Sequence, residues 1–262
     1  MVIYASDLDR TLIFSNKFIS EHPTDAPYTP VEYKDIRVIS NMADEVHERL
    51  LKIKDNKNIT FIPVTTRSID EYKRVNLGFI PEYAIMSNGG TILHNGEVME
   101  EWNNYIRSKM DYMEAIDIIT DIEEEMQSVN YKVKMIDNCY LFFKTEIPEL
   151  FDNEVMYLMG KYPNWDFIRQ VKKCYAIPKH FSKQIALRWI YNKLNKPYLI
   201  ASGDSELDLP MLALANRAII PKHGSLVKDG FVEDGTFADG GITSPLFTMD
   251  LVEKEAEERK NS

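Results

Sequence analysis

Met1-Val-Ile-Tyr-Ala-Ser-Asp7-Leu-Asp9-Arg-Thr11-Leu12 opens the chain and decides how the rest is read. The apolar run from Val2 to Ala5 predicts a short buried strand. Two carboxylates, Asp7 and Asp9, and the hydroxyl of Thr11 follow at once. Residues two apart on a strand point the same way, and like charges at a strand end resist burial. A divalent cation relieves that repulsion, and a hard oxygen site with few carboxylates suits Mg2+. The stretch therefore predicts an acidic, metal-assisted site at a strand end.

The bulk numbers set bounds. A chain of 262 residues is long enough for one large domain or for a core with a second module. Its formal charge of −10 argues against phosphate-tracking nucleic-acid binding and against an anionic membrane surface. Cys139 and Cys174 form no metal-ligand spacing or disulfide framework, and the five histidines form no zinc pattern. The first apolar run has no basic leader and is too short for a signal peptide. No apolar stretch reaches membrane-spanning length. A cytoplasmic enzyme or binding protein is expected.

Outward from the opening strand, Ile13 to Ile36 reads as irregular, punctuated by Pro23, Pro27 and Pro30. Lys34–Ile39 reads as a short strand, and residues 41–55 as a helix on Met42, Val46, Leu50 and Ile53. Ile59–Val64 is the next strand, Ser68 caps a helix to Lys73, and Tyr83–Met86 is a third strand before Ser87-Asn88-Gly89-Gly90. Alternating strands and helices imply parallel βαβ units, with Asp7, Thr65 and Asn88 at their carboxyl ends. The middle differs. It reads as a helix from about Ser108 to Gln127 with Met110, Met113, Ile116, Ile119 and Ile122 on one face. Strands at Tyr131–Ile136 and Cys139–Lys144 are joined by Asp137-Asn138, a hairpin signal. A helix from Pro148 to about Lys161 and strands at Trp165–Arg169 and Cys174–Ile177 complete this part. The doubly wound pattern then returns, with a helix from Lys183, a strand at Tyr198–Ala201 and the run Ser202-Gly-Asp204-Ser-Glu-Leu-Asp208. The expected fold is α/β: a Rossmann-like doubly wound parallel-sheet core at 1–91 and 179–262, with an α+β module inserted at 92–178.

Each strand-end group has a chemical use. Asp7 suits nucleophilic attack on phosphorus, giving an acyl phosphate. Asp9 suits protonation of the leaving oxygen and later removal of a proton from water. Mg2+ between Asp7 and the Asp204/Asp208 pair would let an anionic phosphate approach. Thr65 and the backbone N–H groups of Leu8 and Asp9 suit phosphoryl oxygens, and Lys183 suits charge on the phosphoryl group in flight.

The same residues carry a family resemblance. Asp7-Leu-Asp9-Arg-Thr11 after a strand, Thr65 after Phe61-Ile-Pro-Val64, Lys183 in Ser-Lys-Gln-Ile-Ala-Leu, and Gly203-Asp204-Ser-Glu-Leu-Asp208 resemble, in order, the four motifs of the haloacid dehalogenase-like (HAD) phosphohydrolase superfamily. The inserted module and Ser87-Asn-Gly-Gly90 resemble the Cof-type and sucrose-phosphatase-like branches, whose insertion is an α/β cap. The resemblance implies a Mg2+-dependent phosphatase acting on a small phosphorylated metabolite, often a sugar phosphate. It implies metal ligation by the Asp7 side chain, the Asp9 backbone carbonyl, Asp204 and Asp208. It also implies phosphate or substrate contacts from Leu8, Asp9, Thr65, Thr66, Arg67, Asn88 and Lys183. Arg10 and Thr66 stand where glycine is usual, and Leu207 where asparagine is common. A phosphomutase on the same scaffold and a non-catalytic phosphometabolite sensor are the other readings of this set.

Overall fold

The structure is a computed structural model that describes residues 1–129, 132–170, 172–230 and 236–260. Two compact units divide it, Met1–Val98 with Lys183–Ser262, and Met99–Ser182.

The first unit begins with β1 (Val2–Ser6), β2 (Phe14–Ser15), α1 (Asn16–Glu21), β3 (Tyr28–Lys34), β4 (Arg37–Ala43) and α2 (Asp44–Asp55). It continues with β5 (Ile59–Pro63), α3 (Ile69–Tyr72), β6 (Tyr83–Met86), β7 (Thr91–His94) and β8 (Glu97–Val98). The inserted unit holds α4 (Glu100–Lys109), α5 (Tyr112–Glu125), β9 (Lys134–Ile136), β10 (Tyr140–Lys144), α6 (Pro148–Lys161), β11 (Trp165–Gln170) and β12 (Lys173–Pro178). The chain returns through α7 (Lys183–Lys193), β13 (Tyr198–Ser202), α8 (Leu209–Leu214), β14 (Arg217–Pro221), α9 (Ser225–Lys228), β15 (Thr236–Ala238) and α10 (Pro245–Glu258).

The central sheet of the first unit runs β15-β14-β13-β1-β5, all parallel. Its strands are buried on both faces, as a doubly wound sheet requires. The chain winds one way from β1 to β5 and the other way from β13 to β15. The switch point is thus β1, and ligands of open α/β sheets bind outside the carboxyl ends of strands at such a point.

Several expectations need correction. The stretch read as irregular is ordered: β2, β4 and β3 form a small antiparallel sheet. Lys34–Ile39 is not one strand, because Asp35 at φ +55 turns the chain between β3 and β4. Tyr83–Met86 pairs antiparallel with β7 and meets the central sheet through one parallel bridge, Val64 to Ile85. Residues 92–98 therefore belong to the first unit as part of the β6-β7-β8 sheet, and residues 179–182 group with the inserted unit.

The inserted unit is a four-stranded antiparallel sheet, β11-β12-β10-β9, with its own core of Ile118, Ile122, Leu141, Phe143, Phe151, Leu158 and Trp165. Asp137 and Asn138 both adopt positive φ, the conformation that a tight two-residue hairpin demands. The Tyr131 end of the predicted first strand lies outside the described residues. The predicted helical face holds in part: Met110 and Ile122 are buried and Ile119 packs against the core, but Met113 and Ile116 are 68% and 51% exposed, and Ala115 and Ile118 are buried instead. A helix turns about 100° per residue, so each three-residue step lags about 60° behind a full turn. Five residues spaced by three cannot share one face. Met110 also precedes α5, whose N-cap is Asp111, and α4, missed from sequence, ends before it. Cys139 and Cys174 are buried free thiols. Among the described residues, no helix is long and apolar enough to cross a membrane.

Candidate active site

The polar cluster starts where β1 ends. Register pairs Ser6 with Ser202 on β13 and with Pro63 on β5. Asp7, Gly203-Asp204 and Val64-Thr65 are therefore the next residues on three neighbouring parallel strands. Backbone bonds continue the ladder past the strand ends, from Asp7 N–H to Ser202 O at 2.9 Å and from Val64 N–H to Ser6 O at 2.8 Å.

Lys183, the first residue of α7, is buried between two carboxylates. Its Nζ donates to Asp7 Oδ1 and Asp208 Oδ1, each at 2.6 Å. The other oxygen of Asp208 accepts from Asp204 N–H (3.2 Å), Ser205 N–H (3.0 Å) and Ser205 Oγ (2.9 Å). Asp208 thus shapes the turn that presents Asp204. Gly203 makes that turn possible, because a Cβ there would lie 2.4 Å from Asp208 Cβ.

Asp7, Asp204 and Asp208 each offer a carboxylate oxygen within 4.8 Å of the others, and all three are buried. The electrostatic consequence is plain. Burial and then Asp208 raise the Asp7 carboxyl well above its ordinary range, against the opposing pull of Lys183. The same two causes push Asp204 up to about 7, against Arg10 and Lys183. When ionised, three carboxylates face the Lys183 ammonium and, 3.5 Å from Asp204, the Arg10 guanidinium, which leaves one net negative charge in a buried site. Hard oxygen donors with that residual charge fit a divalent cation of the Mg2+ type.

Asp9 does not join this cluster through its side chain. Its two carboxylate oxygens accept from Arg67 Nε at 2.7 Å and Arg67 Nη2 at 2.8 Å, and the side chain is 51% exposed. Thr65 is buried, and its Oγ1 accepts from Arg67 N–H at 3.2 Å. Asn88 is also buried, in a left-handed conformation at φ +56, and donates its backbone N–H to Thr65 O. The Leu8 side chain is core, and its carbonyl accepts from Thr11, Leu12 and Ile13 N–H groups, closing the loop after Asp7. Thr66 lies half-buried in the turn between Thr65 and Arg67.

Sequence reasoning missed two features. Arg10 adopts φ +63, a region favouring glycine, and its Nε stands 3.5 Å from Asp204 Oδ2. His223 holds it there: its Nε2 lies 2.6 Å from Arg10 O, while its Nδ1 accepts from Gly241 N–H. The other is Glu32, fully buried beside Arg67. The glycine expected at position 10 was the one available signal for the first.

Comparison with known proteins gives the family and the fold. Residues 1–224 match the sequence profile of the family described as sucrose-6F-phosphate phosphohydrolase. No curated protein sequence gives a significant match. The sucrose-phosphatase of Synechocystis sp. PCC6803, solved with sucrose and phosphate, superposes with a TM-score of 0.68 at 14% identity, covering 97% of this chain and 98% of that one. A HAD-superfamily phosphatase from Bacteroides thetaiotaomicron gives 0.57 at 16% identity, with 97% and 94% covered. A HAD subclass IIB sugar phosphatase gives 0.57 at 12% identity, with 98% and 100% covered. With the profile match spanning most of its length, the chain belongs to the sucrose-6F-phosphate phosphohydrolase family and is a phosphatase of the HAD superfamily.

Proposed function

We propose that the protein hydrolyses the phosphate monoester of a small sugar, with Mg2+, through a phosphoaspartyl intermediate on Asp7. The observation that carries this is the buried Lys183 bridge between Asp7 and Asp208, set in a carboxylate cluster with a net negative charge at the switch point of the sheet. The family match and the sucrose-and-phosphate complex of the Synechocystis protein support a sugar as the alcohol.

Asp7, Asp204 and Asp208 would hold the cation, with the Asp9 backbone carbonyl as a further donor. Once bound there, Mg2+ would supply the positive charge that lets a phosphate dianion approach three carboxylates. Asp7 Oδ attacks phosphorus as the ester P–O bond breaks, and Asp9 gives its proton to the departing sugar oxygen. Water then attacks phosphorus and yields a proton to Asp9, the Asp7–phosphorus bond breaks, and inorganic phosphate leaves. Half-exposed Asp9 can exchange its proton with solvent, as a carrier must. Lys183, Thr65, Thr66, Arg67, Asn88 and the Leu8 and Asp9 N–H groups are assigned to the phosphoryl oxygens and their surroundings. The inserted unit is assigned the choice of sugar.

Phosphate release from sucrose 6F-phosphate, hexose phosphates and p-nitrophenyl phosphate, with Mg2+ and then with excess chelator, tests the reading. Release that needs the metal and prefers a sugar ester supports it. Release indifferent to chelator, or none from any ester, sinks it.

A further inference from the structure

We infer that Glu32 is a positioning residue for Asp9, acting through Arg67; the inference rests on the proton-carrying role proposed for Asp9. Glu32 lies on β3, in the segment whose sequence reads as irregular. The β3-β4 pairing slips on both sides of it, between Pro30 and Glu32 and between Glu32 and Tyr33. A bulge of this kind re-aims a side chain. Here Val31 and Glu32 are both buried, breaking the alternation of the strand, and Glu32 is 0% exposed.

The carboxylate turned inward meets three partners. Arg67 Nη1 stands 2.7 Å from Oε2, Ser40 Oγ donates to Oε2 at 2.9 Å, and Arg74 Nη2 donates to Oε1 at 3.2 Å. Arg67 is itself only 11% exposed, and its Nη2 also reaches Ser40 Oγ at 3.3 Å. A guanidinium is a rigid plane with donors on separate edges. Glu32 and Ser40 hold one edge of Arg67, which turns its Nε/Nη2 edge to both oxygens of Asp9. Such a fork fixes orientation as well as distance. Arg67 is also pinned by its backbone, from its N–H to Thr65 Oγ1 and from Ser87 N–H to its carbonyl. With backbone and one edge fixed, the remaining freedom is that of Asp9 in the fork. One aspartate–arginine–glutamate chain, Asp9–Arg67–Glu32, thus joins the β3-β4 hairpin to the proton carrier.

A purely structural tie between hairpin and core would give the same contacts, so the test must read proton transfer. kcat/KM covers steps up to transfer of the phosphoryl group to Asp7, where Asp9 matters only if the leaving oxygen needs a proton. Phenyl phosphate has the poorer leaving group and p-nitrophenyl phosphate the better one. For Glu32→Gln, the loss in kcat/KM should be at least about tenfold greater on phenyl phosphate than on p-nitrophenyl phosphate. An equal loss on both esters, or no loss, would overturn the inference. If Glu32→Gln does not fold, as judged by its thermal transition, Ser40→Ala decides. It removes one hydrogen bond from both Glu32 and Arg67 and should show the same selectivity at about threefold; equal losses overturn the inference. Asp7→Asn measured beside them separates the two proposals. If it still hydrolyses both esters, the reading of the site fails; if it is dead while Glu32→Gln is unselective, only the positioning role fails.

Discussion

Two polar networks stand side by side in the first unit, each joining one aspartate of the opening motif to a buried cation. Around Asp7 three buried carboxylates face two cations, Lys183 and the half-exposed Arg10, and burial with mutual repulsion lifts Asp7 and Asp204 far above ordinary carboxyls. Around Asp9 the charges balance: two carboxylates, Asp9 and Glu32, face two guanidiniums, Arg67 and Arg74. The difference teaches what each is for. An unbalanced network in a buried site creates a demand for positive charge, which a divalent cation can meet. A balanced one makes no such demand and holds geometry. Asp7 and Asp9 are equivalent as letters two apart; the strand ends at Ser6, so the alternation no longer holds and they part company.

The comparison can be broken most directly at Asp7. Asp7→Asn removes the proposed nucleophile and should lower Mg2+-dependent phosphate release by at least about 10³-fold. A small loss would mean that the unbalanced cluster is not where chemistry happens. Lys183→Met removes the only cation that touches both Asp7 and Asp208 among the described residues. Breaking one side of a buried ion pair costs about 3–5 kcal/mol, so urea unfolding should show that loss in the metal-free protein, and Mg2+ should recover part of it. Stability unchanged by the substitution would show that the cluster is not as starved of positive charge as its geometry implies.

The loop between the two networks sharpens the contrast through pH. Burial lowers His223 to about 4, against its hydrogen bond with Arg10. Its unfolded value is about 6.5, so the unfolded chain binds the proton more readily. This part of the stability is complete above about pH 6.5 and fades as pH falls toward 4, by up to about 3 kcal/mol. Urea unfolding at pH 7 and pH 5 should show the loss in wild type, and His223→Gln should flatten it; equal slopes would contradict the buried neutral ring. The smallest effect is expected at Arg10. Arg10→Gly suits the positive φ and removes the guanidinium beside Asp204. A half-exposed ion pair contributes about 0.2–1 kcal/mol, so titration calorimetry should find Mg2+ binding up to about fivefold tighter. Weaker binding would place Arg10 among the groups that help hold the cation.

The unbalanced network was largely legible in sequence, and the balanced one was not. Asp7, Thr65 and Asp204 lie within three residues of the ends of short apolar runs, so strand ends and chemistry can be read together. Lys183 at a helix start and Asp208 four residues after Asp204 completed the set. Glu32 had no such marker. It is one acid in a segment broken by prolines, and its burial depends on a register slip that no local pattern shows. Arg74 reads as an ordinary surface cation until Glu32 is placed beside it. In the inserted unit, the Asp137-Asn138 turn and the Pro148 helix start were plain because single residues dictate them. The face of α5 departs from the pattern at Met113 and Ile116 because methionine and isoleucine spaced by three look amphipathic over two turns and drift over four.

In the proposed reaction the unbalanced cluster makes Asp7 a nucleophile toward phosphorus. Rapid acid quench of the Mg2+-loaded enzyme with phosphate-labelled p-nitrophenyl phosphate, followed by peptide mapping, tests it. The account predicts covalent label on the peptide that contains Asp7, lost in Asp7→Asn and increased in Asp9→Asn, where the water step is slowed. Turnover with no enzyme-bound phosphate, or label on a peptide lacking Asp7, would contradict it.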